Sequence, residues 1–516
     1  MTTAEPVTGR RRGRARTAEG GRTGLPEQRP FRQPRMRLRP TEVVSADELE
    51  SIHDASLRIL AEIGMNFLDD EARQLLIAAG ASADGERIRF DPAMVVERIA
   101  TCPSTFQLHS RNPAHTLTIG GDHIAFGSVA SPPNVVGLDG VRRPGTRQSF
   151  DDLLKLCQVF NIVHFVSGYP VEPIDVHWSV RHLHAAHDVL TLTDKSLHTY
   201  SLGRQRNRDV LAMARIARGV DEATLEREPS VFTIVNSSSP LRLDAPMLQG
   251  MIELSSRNQP VVMTPFTLSG AMAPVALAGA VAQQNAEALA GMVFTQIVRP
   301  GAPVVYGGFT SNVDMQSGAP AFGTPEYVRT AWLGGQLARR YRVPYRSSNV
   351  NAANALDAQA AYESVFSLWG AIMGGVNFLV HGAGWMEGGL QASMAKLVLD
   401  ADLLAMVATM LDPIVVDDDT LAFDAIREVG PGGHFFGVDH TQQRFRTAFH
   451  RPMVSDWRNY ETWDEAGRPE AAEKATDLAR RFLESYEPPP MDDTVREELA
   501  DFVARRVAEG GVETDF

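Results

Sequence analysis

Apolar positions along this 516-residue chain keep one period up to about residue 120 and a different one afterwards. Between residues 44 and 79 they fall at helical spacing, with Ile52, Leu57, Leu60 and Ile63, then Leu75 and Leu76, and with Gly64 and Gly80 at the stops. That spacing predicts an N-terminal helical layer. Short extended stretches follow near 106–109 and 117–119. From residue 122 onward, short β-branched or aromatic runs end in Gly, Ser, Asn or Pro, and helical segments fill the gaps. Eight such runs occur, at 123–126, 163–166, 197–200, 231–235, 261–264, 304–306, 343–346 and 376–380, with starts 30–43 residues apart. A strand, a helix and two loops need about that length.

The gaps carry helical period. In the seventh, Ala358, Ala361, Tyr362, Val365, Leu368, Trp369 and Ile372 share a face that Gln359 and Glu363 avoid, with Asp357 as a cap and Gly374 and Gly375 as a stop. After the eighth run, Leu390, Met394, Leu397, Val398 and Ala401 repeat the pattern. The expected fold is therefore α/β: a (β/α)8 TIM barrel over 122–412, with a helical and extended layer over 43–121 and a C-terminal extension with helices over 413–516. An open doubly wound sheet is the alternative. In the extension, Asp417, Asp418 and Asp419 read as a solvated loop, the aromatics Phe435, Phe436, Phe445, Phe449, Trp457, Tyr460 and Trp463 as packing against the barrel, and two helices are expected around Pro488.

Composition adds limits. With 44% hydrophobic and 22% charged residues the chain can bury a core unaided, and Cys102 and Cys157, far apart, form neither a disulfide framework nor a thiolate zinc site. This fits a reducing, cytoplasmic setting. No run is long enough to span a membrane. The net charge of −13 conceals a tail with eleven Arg against three Glu over residues 1–39, so that the tail is +8 and the remainder −21. Few apolar residues interleave with those arginines, which is the composition of a disordered extension reaching residue 42 rather than of a nucleic-acid or membrane contact. No apolar segment follows Arg12, so no secretion signal is read.

Sites on barrels of this kind lie where strands end. Those positions hold Ser128, Gly168, Tyr169, Ser201, residues 236–239, 265–267, 307–311, 347–349 and 381–387. They offer hydroxyls, amides, Gly and aromatic rings, with no carboxylate cluster for Mg²⁺ and no strand-end Lys for a Schiff base. Such a lining suits a small cationic or zwitterionic ligand. His177, His182, His184 and His187 lie in the body of the second barrel helix, so a polar outer face is expected of them and no metal site. No dinucleotide fingerprint follows a strand.

The most distinctive stretch follows the eighth run: Gly382, Ala383, Gly384, Glu387, Gly389, Leu390, Ser393, Leu397, Val398 and Asp400. Here the chain resembles the trimethylamine methyltransferase (MttB) family. Residues 138–144, 357–363 and 432–441, with Phe445, Arg446 and Pro452, are similar to the same family in the same order. The resemblance implies methyl transfer from a methylated amine to the cobalt of a corrinoid held by a separate protein. The family's trimethylamine enzymes use pyrrolysine near the 357–363 stretch. This chain has Ala360, Ala361 and Tyr362 there, which points instead to a quaternary donor such as glycine betaine.

On that reading Tyr169, Asn236, Phe266, Phe309, Tyr345 and Trp385 bind the substrate, with Asn349, His381 and Glu387 as the catalytic set. Gly384, Gly388, Gly389 and Gln359 face the corrinoid, and Arg142 and Arg143 hold a loop. The expected partners are the amine and the corrinoid protein, with self-association left open and no tightly bound metal, nucleic acid or membrane. A lyase or aldolase barrel, a trimethylamine enzyme and a non-enzymatic betaine-binding protein are the rival readings.

Overall fold

The computed structural model describes residues 24–514. Seven parallel strands form its central sheet, in the spatial order Ala125–Ser128, Phe378–Ala383, Tyr345–Ser348, Val304–Gly307, Val261–Met263, Val231–Val235 and Leu197–His198. The fold is thus mixed α/β with a curled parallel sheet. The expected second strand at 163–166 is not one: Phe165 alone makes parallel bridges, to Gly127 on one side and Ser196 on the other. The intervening chain supplies helices such as Trp178–Leu192, Arg204–Arg218, Leu277–Val298, Pro325–Tyr341, Ala358–Gly374 and Met394–Met410. Caps fix their starts. Asp357 accepts from the amides of Gln359 and Ala360, and Thr324 with Pro325 opens the helix before it.

Inside the sheet, Ala125, Phe165, Phe232, Val262, Val305, Phe378 and Val380 cluster with Leu108, Leu117 and Ile119. The last three belong to the antiparallel hairpin Thr105–Leu108 and Leu117–Gly120, which closes the N-terminal end of the sheet. The opposite end is left for loops. Two small additional sheets sit there: Phe266–Ser269 pairs with Phe309–Val313, and Trp385–Met386 joins Gln391–Ser393, Asn134–Val136 and Arg142–Pro144.

Four further expectations need correction. Residues 24–42 are packed, not free: Phe31 lies 4.0 Å from the His115 ring, Gln33 exchanges hydrogen bonds with Thr118, and Arg35 and Arg29 pair with Asp122 and Asp412. Residues 1–23 of the expected tail lie outside the described residues. In the Ala358–Gly374 helix the expected apolar stripe is split: Leu368 and Ile372 are buried, but Tyr362, Val365 and Trp369 are exposed, Tyr362 by 61%, while the small residues Ala360, Ser364, Ser367, Gly370 and Ala371 are buried. Small residues win that face because the neighbouring helix comes so close that a Cβ on Gly335 would lie 2.0 Å from the Gly374 carbonyl. The aromatics of the extension do not pack on the barrel either, since Phe436 and Phe449 are 81% and 82% exposed. The three aspartates at 417–419 begin a short helix that Asp417 caps, rather than forming a loop. Among the described residues no helix is long and apolar enough to cross a membrane.

Candidate active site

At the C-terminal end of the sheet a cavity of about 350 Å³ opens, lined by Ser131, Ser167, His198, Tyr200, Asn236, Thr264, Phe266, Phe309, Arg346, His381, Trp385 and Gly388 among others. This volume lies near the small end of the range for small-molecule sites, roughly 300–1,000 Å³. Its rings form a connected wall. Phe309 sits 5.2 Å from Phe266, 5.7 Å from His381 and 6.2 Å from Trp385, and His381 stacks on Trp385 at 5.3 Å. Phe266 and Phe309 reach it from adjacent parallel segments in register with each other.

Backbone strain marks the last strand and the turn that follows it. His381 has a φ of 58° and Glu387 one of 53°, a region L-residues rarely occupy. His381 Nδ1 meets the Ser348 hydroxyl at 3.1 Å, and burial, with Arg346 nearby, keeps its pKa well below the ordinary histidine value. His198 is likewise neutral, pushed down to about 3 by burial. Its Nε2 accepts from the Ile234 amide at 3.4 Å, so its proton sits on Nδ1, which has no partner. The Ser167 and Thr264 hydroxyls and Arg346 Nε are also buried without partners. Buried polar atoms are normally satisfied, so four such atoms around one cavity mark a ligand site.

The Asn236 loop has its own support. Buried Glu287 accepts from Ser237, from Ser239 at 2.6 Å, from the Leu241 amide at 2.9 Å and from Gln283 at 2.9 Å, which fixes the turn that follows the Val231–Val235 strand. Of the residues named from sequence, Asn236, Phe266, Phe309, His381, Trp385 and Gly388 come together here. Tyr169 lines an adjoining cavity that shares Ser131, His198 and Tyr200, with its ring edge-on to Tyr200 at 4.6 Å.

The others lie elsewhere. Tyr345 turns into the helical shell, where its hydroxyl donates to the Ala331 carbonyl at 2.8 Å. Asn349 is buried behind the wall and donates to the Gly382 carbonyl at 2.9 Å. Glu387 is held at both oxygens by Arg142, at 2.8 and 3.0 Å, and does not line the cavity. Gly384 donates to Asp400 at 2.8 Å, Gln359 donates to Glu363 at 2.8 Å, and Gly389 backs the Trp385 indole, where a Cβ would approach to 2.8 Å. Sequence reasoning passed over His198, Tyr200, Thr264 and Arg346. Arg346 had a visible signal: a charged residue inside an otherwise buried strand.

Residues 9–511 match the family described as trimethylamine methyltransferase (MTTB). The chain is 33% identical over 472 residues to a glycine betaine methyltransferase of Desulfitobacterium hafniense, covering 91% of this chain and 98% of that protein. It is 29% identical to a trimethylamine methyltransferase MttB of the same species, covering 91% and 94%. The crystal structure of the Methanosarcina barkeri monomethylamine methyltransferase (MtmB) aligns over 91% of each chain with a TM-score of 0.47 and 11% identity.

Proposed function

The chain belongs to the trimethylamine methyltransferase family, and we propose that its mouth cavity takes a quaternary methylated amine, such as glycine betaine, and passes one methyl group to a corrinoid carried by a separate protein. As a family member it is a methyltransferase acting on methylated amines. The observation that carries the substrate reading is the connected ring wall of Phe266, Phe309, His381 and Trp385 around a cavity whose histidines are neutral. A cation against such rings gains on the order of 0.5–2 kcal/mol.

No acid or base is needed for a quaternary donor, because its nitrogen carries the positive charge beforehand and departs as a neutral amine. A tertiary amine departs poorly until activated, and Ala360, Ala361 and Tyr362 offer no electrophile in the stretch near which the resemblance implies pyrrolysine in the family's trimethylamine enzymes. Binding, alignment and exclusion of water are then the tasks of the chain's own residues. Trp385 and Phe309 bound the methylated nitrogen. Ser348 fixes the orientation of the neutral His381, and Glu287 holds the turn carrying Asn236.

The reduced corrinoid supplies the cobalt nucleophile that accepts the methyl group. A cavity of about 350 Å³ suits the amine and not a macrocycle, so the corrinoid fits only over the mouth. There Gly388, with a φ of 61°, would meet it without a side chain in the way. We read the Phe165 bridges as completing an eight-stranded closed barrel around this site. Purified protein incubated with Co(I) cobalamin should consume it with glycine betaine or another quaternary amine and leave trimethylamine essentially unused. Rapid consumption with trimethylamine, and none with any quaternary amine, would overturn the reading.

A further inference from the structure

One charge in the cavity is unanswered by the chain. Arg346 is 2% exposed, yet it lines the cavity. Its Nη1 donates to the Gly308 carbonyl at a long 3.4 Å, its Nε has no partner, and its carbon lies over the Phe309 ring at 5.2 Å. Among the described residues no carboxylate stands within ion-pair distance, and its electrostatic neighbours are the hydroxyls of Tyr327 and Tyr345. Arginines outside the cavity are answered: Arg142 by Glu387, Arg147 by Asp188, Arg181 by Glu172. A buried, unpaired guanidinium is expensive and is retained where something else completes it.

The lining residues bear no second formal charge, since they include no Asp, Glu or Lys and both histidines are neutral. Thr264 Oγ1, also unpartnered, stands beside Arg346. Gly307 lies between them, where a Cβ would come within 2.9 Å of that hydroxyl and 3.1 Å of Arg346 Cδ, so glycine keeps their shared space clear.

A bare quaternary cation entering this cavity adds a like charge to Arg346. A zwitterion brings its own counter-charge. We propose that Arg346, with the Thr264 hydroxyl, binds a carboxylate on the substrate, so that the enzyme selects carboxylated quaternary amines over choline and tetramethylammonium. Arg346 is then a specificity-determining residue, and the assignment rests on the methylated-amine reading above.

Calorimetric titration of the full chain, without corrinoid, tests it with glycine betaine and choline, which differ at the carboxylate. Betaine should bind the unaltered protein at least about thirtyfold more tightly, the size expected of a charge-assisted hydrogen-bond pair. Arg346→Met should weaken betaine by about that factor while choline binds as well as before or better, because the like charge is gone. Arg346→Lys should retain part of the preference, and Thr264→Val should lower betaine affinity by about three- to tenfold. Equal affinity for the two ligands on the unaltered protein overturns the assignment and needs no variant to fold. So does Arg346→Met weakening both ligands alike. If choline is demethylated as well as betaine, only the carboxylate assignment fails; if no methylated amine is bound or demethylated, the amine reading fails with it.

Discussion

The mouth cavity and the outer surface of the C-terminal extension carry the same kinds of ring in opposite surroundings. Phe309 and Trp385 are 6% and 4% exposed and touch each other, whereas Phe449 and Trp457 are 82% and 74% exposed. Aromatic content alone therefore says little about where chemistry occurs. What sets the mouth apart is enclosure, which strips water from polar groups and so gives Arg346, Thr264 and the two histidines their unusual states. Four predictions test that contrast, in falling order of effect.

Enclosure holds His164, His198 and His381 neutral, the first two at about 3. The unfolded chain takes up a proton on each below about pH 6.5 while the native protein does not, so stability is full above that pH and is lost as pH falls. At pH 5.5 His164 and His198 each contribute about 1.4 kcal/mol of loss, roughly 3 kcal/mol for the two, and His381 adds to it in the same direction. Unfolding midpoints at pH 7.5 and 5.5 measure this, and an unchanged midpoint would refute it. Next, Trp385→Ala should cost about 3 kcal/mol of stability and at least about tenfold in kcat/KM for a quaternary donor, since it removes both packing and a cation-facing ring. Full activity in that variant means the ring is not a cage wall. Third, Glu287→Gln exchanges an acceptor for a donor among Ser237, Ser239 and the Leu241 amide, and should lower stability by about 2 kcal/mol and raise KM more than it lowers kcat. A kcat effect alone would argue against a positioning role. Smallest, Trp457→Ala should stay within about 0.5 kcal/mol and leave kcat/KM unchanged. A tenfold loss there would erase the distinction between the two regions.

The same contrast explains what was legible in the sequence. Strand spacing located seven of the eight runs as strands, and the strand-end rule picked out Asn236, Phe266, Phe309, His381 and Trp385, which line one cavity. It misassigned Tyr345 and overlooked Arg346. In Tyr345–Ser348 all four residues are buried, so no polar alternation reveals which side chain faces the barrel and which the helices. Glu387 was misplaced for another reason: its partner Arg142 is 245 residues away in sequence. On Ala358–Gly374 the amphipathic reading held for Leu368 and Ile372 but failed for Tyr362, Val365 and Trp369, because backbone proximity, which only Gly, Ala and Ser permit, outweighed hydrophobicity.

The packed segment at 24–42 bears on how the protein is cut and joined. Composition invites removal of everything before residue 43. Such a cut would take away Phe31 from over His115 and His164, the Arg35 and Arg29 pairs, and the Met36 amide's hydrogen bond to the Asp122 carbonyl at 2.6 Å. The hairpin end of the sheet would be left as an adhesive face, and truncated chains would gather into aggregates while their cavity residues were still intact. An affinity tag or fused domain belongs ahead of residue 24, where it leaves this plug in its socket.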